Sequence, residues 1–372
     1  MRVRVQRSIR LFAAVLAITT FAPHIAAGQT AAAPAAKKGA AVPKTPWGHP
    51  DLQGLWNSAT ITPLERPGNS EKAVLTEEEA LAFERGQAER MARADRASNP
   101  DRIAPPVGGD GSQGASGNVG GYNAFWIDPG TKTIVVNGER RSSLVIDPPD
   151  GRVPAMTPDA RARMAARLKA VTAPTSDAPE NVSTRQRGAY DDPELRPLAE
   201  RCVVGFGSVS GPPMLPVLYN NFKQIVQTPD YVMILVEMIH DARIIPLNKP
   251  HGPAHIRKWM GDSVGRWEGD TLVVETTHFN DKTRFRGASQ NMKITERFTR
   301  TDADTLMYRF TVEDPSTWTK PWTAEYPMPH AQPGEKLYEY ACHEGNYSFG
   351  GIMRGERILD EERALAAEDA AK

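Results

Sequence analysis

The strongest pattern along the chain is a series of short apolar runs between Phe222 and Cys342. Turn-forming clusters TPD, EGD and DAD separate several of these runs, and no helical period comes between them. Strands that recur at such short spacing are typical of an antiparallel meander, which closes most easily as a barrel. The pattern therefore predicts a mainly β fold, with strands at FKQIVQ, YVMILVEM, ARIIPL, TLVVETTHF, MKITERFTR, TLMYRFTVE and KLYEYACH.

Shorter strand signals precede this region. Leu52–Ile61 follows the turn-like WGHPD and predicts a first strand. Thr133–Val136 and Ser143–Ile146 lie on either side of Asn137-Gly138, the dipeptide that two-residue hairpin turns favour. These two runs predict a hairpin.

Two segments have a helical pattern and are expected at the periphery of the sheets. Thr76–Ala94 opens with the capping box Thr76-x-x-Glu79, and Thr157–Val171 opens with a Thr-Pro pair suited to an N-cap and a first turn. Residues 99–121 are rich in Gly, Pro, Asp and Ser, and residues 172–200 contain few large apolar side chains. The first segment is expected to be a long loop, and the second is expected to wrap the surface.

The N-terminus has the organisation of an export signal. MRVRVQRSIR is basic, residues 11–25 are apolar, and Ala26, Ala27 and Gly28 supply the small residues of a cleavage site. Export would deliver the chain to the periplasm or the medium without an integral membrane segment. We therefore expect a signal peptide at 1–28, a disordered Ala/Pro-rich linker at 29–46, a single mostly-β domain at 47–358 and a frayed tail at 359–372.

The charge balance narrows the class of partner. Lys plus Arg and Asp plus Glu each number 45, so the formal net charge is zero. Such a chain has no global field that would attract nucleic acid or anionic lipid. The sequence also lacks a Walker loop, a dinucleotide fingerprint placed after an early strand and a G-x-S-x-G elbow. We expect a small-molecule substrate or ligand, no nucleic acid and no cofactor.

The only cysteines are Cys202 and Cys342, which excludes a cysteine-rich zinc site. In an exported protein an even pair most simply forms one disulfide, and this is the pairing we predict. Two buried free thiols are the alternative. A nucleophilic Cys342 is disfavoured, because adjacent residues on a strand point to opposite faces and the neighbouring His343 would face away.

Two features resemble the lipocalin-like (calycin) barrels. The motif Gly54-x-Trp56 lies on the first predicted strand, and Arg354 and Arg357 follow the last one. In those barrels a tryptophan of this motif packs beneath an arginine from the far end of the chain, so the resemblance implies a Trp56 buried against Arg354 or Arg357. Phrases such as PDLQGLWN, RWEGDTLVVETTHFND and YEYACHEGNY also resemble an uncharacterised family of secreted bacterial proteins, which implies one continuous domain.

Polar groups gather where the apolar run Tyr231–Met238 ends. Glu237, His240, Asp241 and Arg243 lie together there. A histidine beside a carboxylate can act as a general acid–base, and an arginine can stabilise developing negative charge. A structural network at a strand end is the alternative interpretation. We select His240, Asp241 and Arg243 as catalytic residues.

A second cluster follows the last predicted strand. His343, Glu344, Asn346 and Tyr347 combine an imidazole, a carboxylate, an amide and a phenol on a base that a disulfide at Cys342 would hold rigid. Polar residues facing water are the alternative. We expect His343 and Glu344 to be catalytic and to share one cavity with His240, and Asn346 and Tyr347 to bind substrate.

A third set, Tyr122, Asn123 and Trp126, follows the Gly-rich loop and suits recognition of a sugar or an aromatic ring. Core packing explains these aromatic residues equally well. We assign them to substrate binding.

Metal binding was considered for His251 and His255, which lie four residues apart. On a helix this spacing would align two ligands, but the intervening Gly252-Pro253 disfavours a helix. We therefore assign no metal ligand.

These residues predict a periplasmic enzyme that performs acid–base chemistry, as a lyase, hydrolase or isomerase, on a small cyclic or glycosidic molecule. One alternative is a barrel that carries a small ligand without reaction. Another is an interaction module of the cell envelope.

Overall fold

Antiparallel strands dominate the described part of the chain, as the sequence predicts, and four α-helices accompany them there. A computed structural model describes residues 42–94, 127–172, 192–206, 211–282 and 285–372. The expected signal peptide and most of the expected linker lie outside these residues. In chain order the elements are β1 (Gly54–Asn57), β2 (Val74–Leu75), α1 (Glu77–Ala94), β3 (Val135–Val136), β4 (Glu139–Arg141), β5 (Val145–Asp147), α2 (Pro158–Thr172), β6 (Phe222–Gln227), β7 (Tyr231–Val236), β8 (Ala242–Pro246), β9 (Asp262–Glu268), β10 (Thr271–Thr277), β11 (Lys293–Arg300), β12 (Thr305–Glu313), β13 (Trp322–Pro329), α3 (Cys342–Gly345) and α4 (Tyr347–Ala370).

The strands form three antiparallel sheets. The largest is six-stranded in the order β5-β13-β12-β11-β10-β9, the second is four-stranded in the order β1-β6-β7-β8, and the third is the small sheet β2-β4-β3. Alternate side chains along β11 are buried, including Ile294, Glu296 and Phe298. Side chains of β7 and β12 belong to the same hydrophobic cluster, so the two larger sheets share one core.

The two larger sheets approach each other at two single bridges. Leu247, just after β8, forms a single parallel bridge with Gly265 of β9, and Trp56 of β1 forms a single antiparallel bridge with His330, just after β13. A Cβ atom on Gly265 would lie 2.8 Å from Leu247 Cδ2, so the absence of a side chain permits the first approach. Among the described residues, no continuous ladder of paired strands joins the two larger sheets into a closed ring. The barrel closure expected from the sequence is therefore not confirmed.

Most predicted elements are found, with ends shifted by a few residues. The Thr76 amide donates to Glu79 Oε2 at 2.8 Å and the Glu79 amide donates to Thr76 Oγ1 at 3.2 Å, which completes the capping box of α1. At the start of α2 the Ala160 amide donates to Thr157 Oγ1 at 3.1 Å. Strands β1, β6, β7, β8, β10, β11 and β12 lie in the predicted apolar runs.

The predicted hairpin is corrected. Asn137 (φ 53°) and Gly138 (φ 82°) form a tight turn, but the turn joins β3 to β4 rather than to Ser143–Ile146. That second run instead contributes to β5, which pairs with β13. The apolar pattern alone cannot specify the partner, because the pairing depends on strands distant in sequence.

The end of the β region also differs from the prediction. The run KLYEYACH is not a strand, since Lys336–Ala341 has no regular structure and α3 begins at Cys342. The preceding strand β13 was missed because it contains Pro327, which usually argues against a strand. Its neighbour β5 pairs only at Thr323 and Ala324, so Pro327 lies beyond that ladder. β9 was missed because DSVGRWE has few large apolar residues.

The C-terminal helix α4 runs without interruption from Tyr347 to Ala370, across the expected start of a frayed tail at 359. Met353 is its buried residue, and most of the others are exposed. No helix in the described ranges is both long and apolar enough to cross a membrane.

Trp56 is fully buried, as the barrel resemblance implies, but its cationic partner is a different residue. The guanidinium carbon of Arg300, on β11, lies 5.3 Å from the centroid of the Trp56 ring. Arg357 instead donates to the Met353 carbonyl within α4, at 3.4 Å. The expected contact with Arg354 or Arg357 is therefore replaced by one with Arg300, because the chain after β13 continues into α4.

The predicted disulfide is confirmed. Cys202 and Cys342 are bonded, with Cα atoms 5.8 Å apart, inside the range for such bonds. Asn346 Nδ2 also donates to the Glu200 carbonyl at 2.7 Å, so the start of α4 is held to the segment that carries Cys202.

Candidate functional site

The connection between β7 and β8 has a strained backbone. Ile239 (φ 67°) and His240 (φ 48°) are consecutive residues in the left-handed region, which a β-branched side chain rarely adopts. The Asp241 carbonyl accepts from the Val236 amide at 2.9 Å and closes the turn. The turn leaves His240 exposed and brings Asp241 to a cavity.

This cavity is a cleft of about 490 Å³ between β8 and β9, and we call it the β8–β9 cleft. In the described part of the chain each of these strands has a ladder on one side only, apart from the single Leu247–Gly265 bridge. The cleft therefore lies where two sheet edges face each other. Its lining residues are Val203, Asp241, Ala242, Arg243, Ile244, Pro246, Pro250, Gly252, Lys258, Trp259, Met260, Gly261, Asp262, Ser263 and Val264.

Asp241 is the acidic group at one end of the cleft. Its side chain is about half buried, and this burial raises the pKa of the Asp241 carboxyl above the ordinary aspartate value, while the charge of neighbouring His240 acts in the opposite direction. Trp259 and Met260 line the same region and also line a smaller adjoining cavity with Asp241. A carboxyl whose pKa is raised by burial thus lines the same two cavities as an aromatic side chain.

Asp262, the first residue of β9, is the second acidic group of the cleft. Burial acts to raise its pKa, but hydrogen bonds from Lys258, the Gly252 amide and His251 outweigh burial and lower the pKa to about 2. Lys258 Nζ lies 2.7 Å from Asp262 Oδ1, and the Gly252 amide lies 3.0 Å from Oδ2. Asp262 is therefore ionised at neutral pH.

His251 and His278 lie close to Asp262, and Glu275 contacts His251. His251 Nδ1 lies 3.1 Å from Asp262 Oδ2, and His251 Nε2 lies 3.3 Å from Glu275 Oε1. The rings of His251 and His278 meet edge to face, with centroids 5.5 Å apart. His278 Nδ1 is buried and has no hydrogen-bond partner among the described residues.

Arg243 has a structural partner in place of the catalytic role that the sequence predicts. Alternation along β8 turns its side chain into the core, where Nη1 and Nη2 lie 2.7 Å and 3.0 Å from the two carboxylate oxygens of Glu296. Tyr308 donates to Glu296 Oε1 at 2.7 Å, and the Tyr308 hydroxyl accepts from the Met214 amide at 3.0 Å. Arg243 thus joins β8 to β11 inside the core, and its guanidinium is already neutralised by Glu296.

The two predicted histidines are not brought together. His240 and His343 are both exposed, and neither lines the β8–β9 cleft. Within the described residues neither imidazole has a side-chain hydrogen bond, so the expected pairing with Asp241 or Glu344 is not found. The prediction assumed that His343 and Glu344 follow the end of a strand. They lie instead in the short helix α3.

Two of the predicted binding residues, Asn346 and Tyr347, do not line the cleft. Asn346 holds the Cys202 segment, and the Tyr347 side chain is 87% exposed. Tyr122, Asn123 and Trp126 lie outside the described residues. Asp241 is therefore the predicted residue that presents a titratable group to the cleft.

Sequence reasoning missed Trp259, Lys258, Asp262 and His278. His251 was considered only with His255, which the structure leaves exposed. The available signal was the polar segment between β8 and β9, because HGPAHIRKWMGD concentrates histidines, cations, a tryptophan and an acid in one connection. Loops of this kind between strands often carry function.

A larger cavity of about 760 Å³ lies beside α2, with Trp318, Met156 and Met164 on its walls. Its ionic groups are tied to each other or to nearby acids, since Arg286 pairs with Glu65 and Arg196 pairs with Glu200. We therefore take the β8–β9 cleft, with one acid whose pKa is raised by burial and a second acid that is ionised, as the candidate functional site.

Comparison with known proteins gives no relative for this arrangement. No family model, no curated protein and no solved structure matches the chain.

Proposed function

We propose that the protein is an extracytoplasmic enzyme that performs acid–base chemistry on a small cyclic or glycosidic molecule held in the β8–β9 cleft, with Asp241 as the proton-transfer group. The reaction class is a lyase, a hydrolase or an isomerase. The observation that carries the proposal is the convergence of the Asp241 carboxyl, the Trp259 ring and the Lys258–Asp262 ion pair in one cavity. A volume of about 490 Å³ suits a small ligand.

The role of Asp241 follows from its surroundings. Because burial raises its pKa, the group keeps its proton closer to neutral pH than an ordinary aspartate and can serve as a general acid. The strained residues Ile239 and His240 hold it in place, and strain of this kind is often found at functional sites.

The walls of the cleft suit a ring-shaped ligand. Trp259 offers a flat aromatic surface for stacking, and Ile244, 65% exposed, offers an apolar contact. Lys258 and Asp262 supply a cation and an anion that can orient hydroxyl or carbonyl groups.

The location of the cleft agrees with an incompletely closed barrel, which we infer from the two single bridges between the larger sheets. The cleft occupies the seam beside the Leu247–Gly265 bridge, where side chains do not fill the gap. An extracytoplasmic location is supported by the disulfide and by the export-signal pattern of residues 1–28.

The proposal is tested with the mature chain and a panel of aryl glycosides, lactones and cyclic polyols, assayed for turnover and for ligand-induced quenching of tryptophan fluorescence. We expect Asp241→Asn to reduce kcat at least about a hundredfold, because a positioned acid–base group contributes roughly that much. Activity of the wild type should fall as the pH rises through the pKa of the Asp241 acid. The matched control is Asp270→Asn, since Asp270 is exposed in the β9–β10 turn and forms a surface ion pair with Lys44.

Turnover that is equal in wild type and Asp241→Asn would contradict the role of Asp241. A ligand that binds the wild type and Asp241→Asn equally, with no turnover in either protein, would instead favour a carrier. Thermal unfolding of each variant confirms that a loss of activity does not arise from a loss of the fold.

A further inference from the structure

Three potential metal ligands converge behind the β8–β9 cleft. One ligand atom each from His251, Asp262 and His278 lies within 4.8 Å of the other two. The residues come from three segments: His251 follows β8, Asp262 begins β9 and His278 directly follows β10. The antiparallel β9–β10 ladder, in which Asp262 pairs with Thr277, brings the last two together.

We infer that His251, Asp262 and His278 bind one divalent transition-metal ion, and that zinc is the ion they suit. The site goes beyond the acid–base proposal, which depends on Asp241. Zinc bonds to histidine nitrogen and carboxylate oxygen are about 2.0–2.2 Å long, so two ligands of a tetrahedral ion lie about 3.3 Å apart. The distance of 3.1 Å between His251 Nδ1 and Asp262 Oδ2 is close to this value.

His278 provides a second observation that points to a metal ion, independent of the distances between the ligand atoms. Its Nδ1 is buried and has no hydrogen-bond partner among the described residues, although buried polar atoms are normally satisfied. The residue also has a left-handed backbone (φ 54°), which turns the chain immediately after β10. A metal ion would provide the partner that this nitrogen lacks.

Glu275 completes the pattern expected around a ligating histidine. A metal-bound imidazole usually donates its second N–H to a carboxylate, which sets the tautomer and orients the ring. His251 Nε2 lies 3.3 Å from Glu275 Oε1, on the side of the ring opposite Asp262. Lys293 Nζ, 3.4 Å from Glu275 Oε2, holds that carboxylate in place.

The competing interpretation is an ionic network in which a protonated His251 lies between Asp262 and Glu275. In that network Lys258 satisfies Asp262, but His278 Nδ1 still has no partner. Lys258 Nζ contacts Asp262 Oδ1, whereas His251 Nδ1 lies near Oδ2, so a metal bound through Oδ2 can leave the Lys258–Asp262 pair in place. Two imidazoles and one carboxylate match the ligand set of zinc enzymes.

The test uses the mature chain without a histidine tag, stripped of metal and titrated with zinc against a chromogenic chelator. We expect one equivalent of zinc to bind. His278→Ala and Asp262→Asn should weaken binding more than tenfold, and Glu275→Gln should weaken it about 10- to 100-fold. His255→Ala is the matched control, because His255 is an exposed histidine of the same connection, and its affinity should equal that of the wild type.

A second measurement keeps the test independent of folding. Cobalt should bind the wild type and His255→Ala with the visible absorption of a site that contains nitrogen ligands, and His278→Ala should lose that spectrum while its circular dichroism stays unchanged. Zinc affinity that is the same in His278→Ala and His255→Ala, or no binding above the level of surface histidines, would overturn the inference. Asp241→Asn should bind zinc normally, so a failure of this site and a failure of the acid–base proposal are distinguishable.

Discussion

At the scale of single residues, Lys223 has the least favourable surroundings for its charge. The side chain lies on β6 inside the core, 1% exposed, and Nζ donates to Ser58 Oγ at 3.0 Å and to the Asn221 carbonyl at 3.1 Å. Burial lowers the pKa of the Lys223 ammonium from 10.5 to about 7, although the negative charge of Glu237 acts in the opposite direction. The buried charge therefore opposes folding at neutral and acidic pH.

Lys223 makes the stability of the protein depend on pH. Between pH 7 and about 10 the unfolded chain keeps this proton and the folded chain has lost it, so the free energy of unfolding should rise by about 1.4 kcal/mol per pH unit. Below pH 7 Lys223 is protonated in both the folded and the unfolded state, so its contribution to the free energy of unfolding no longer changes with pH. Urea unfolding at pH 7.5, 8.5 and 9.5 measures the slope.

Lys223→Met is the matched variant for this prediction. It should lose the slope and should be more stable than the wild type at pH 7, because an apolar side chain removes the cost of burying a charge. The pH range stops below 10 because the pKa values of buried Tyr308 and Tyr326 are raised well above 10 and add an opposite slope there. An equal slope in wild type and variant would assign the pH dependence to other groups.

At the scale of elements, the approach of β8 to β9 depends on Gly265. A Cβ atom at this position would lie 2.8 Å from Leu247 Cδ2 and 3.1 Å from Ile245 Cγ2, and both of those residues are buried. The two sheet edges can therefore meet at the bridge and separate again to form the cleft.

Gly265→Ala should reduce the free energy of unfolding by about 1–3 kcal/mol, the usual cost of adding a methyl group to a packed core. Gly68→Ala is the control, because a Cβ there meets nothing within 4 Å, and it should be neutral or slightly stabilising. Adding Leu247→Val should relieve the clash, so the double variant should be more stable than the sum of the single effects predicts. Strictly additive effects in urea unfolding would contradict the proposed contact.

At the scale of the whole molecule, the disulfide links the segment before β6 to the start of the C-terminal helices across a sequence separation of 140 residues. The chain-entropy model assigns a stabilisation of about 5 kcal/mol to a loop of this length, because the bond restricts the unfolded chain. The double variant Cys202→Ser/Cys342→Ser should lower Tm strongly.

A reducing agent separates the effect of the bond from the effect of the substitutions. Wild-type protein unfolded under reducing conditions should match the double variant, and the double variant should not respond to the reducing agent. Alkylation of the unreduced protein in denaturant should label no thiol. A labelled Cys202 or Cys342 in that experiment would contradict the bond.

Features that depend on neighbouring residues could be predicted from the sequence by itself. The capping box at Thr76 and Glu79, the turn at Asn137-Gly138 and the alternating strands β11 and β12 are stabilised by contacts within a few residues or by one buried face. The disulfide was predictable for a different reason, since the chain contains no third cysteine.

The candidate site was largely decided by the tertiary structure. Asp241 was identified from its place at the end of an apolar run, but the same pattern could not reveal that Arg243 pairs with Glu296 of β11 or that His240 is exposed. The meeting of His251, Asp262 and His278 likewise depends on the β9–β10 register and on the approach of two sheets. Periodicity reports which face of an element is buried, whereas the packing of distant elements sets which side chains meet, because that choice minimises the free energy of the whole core.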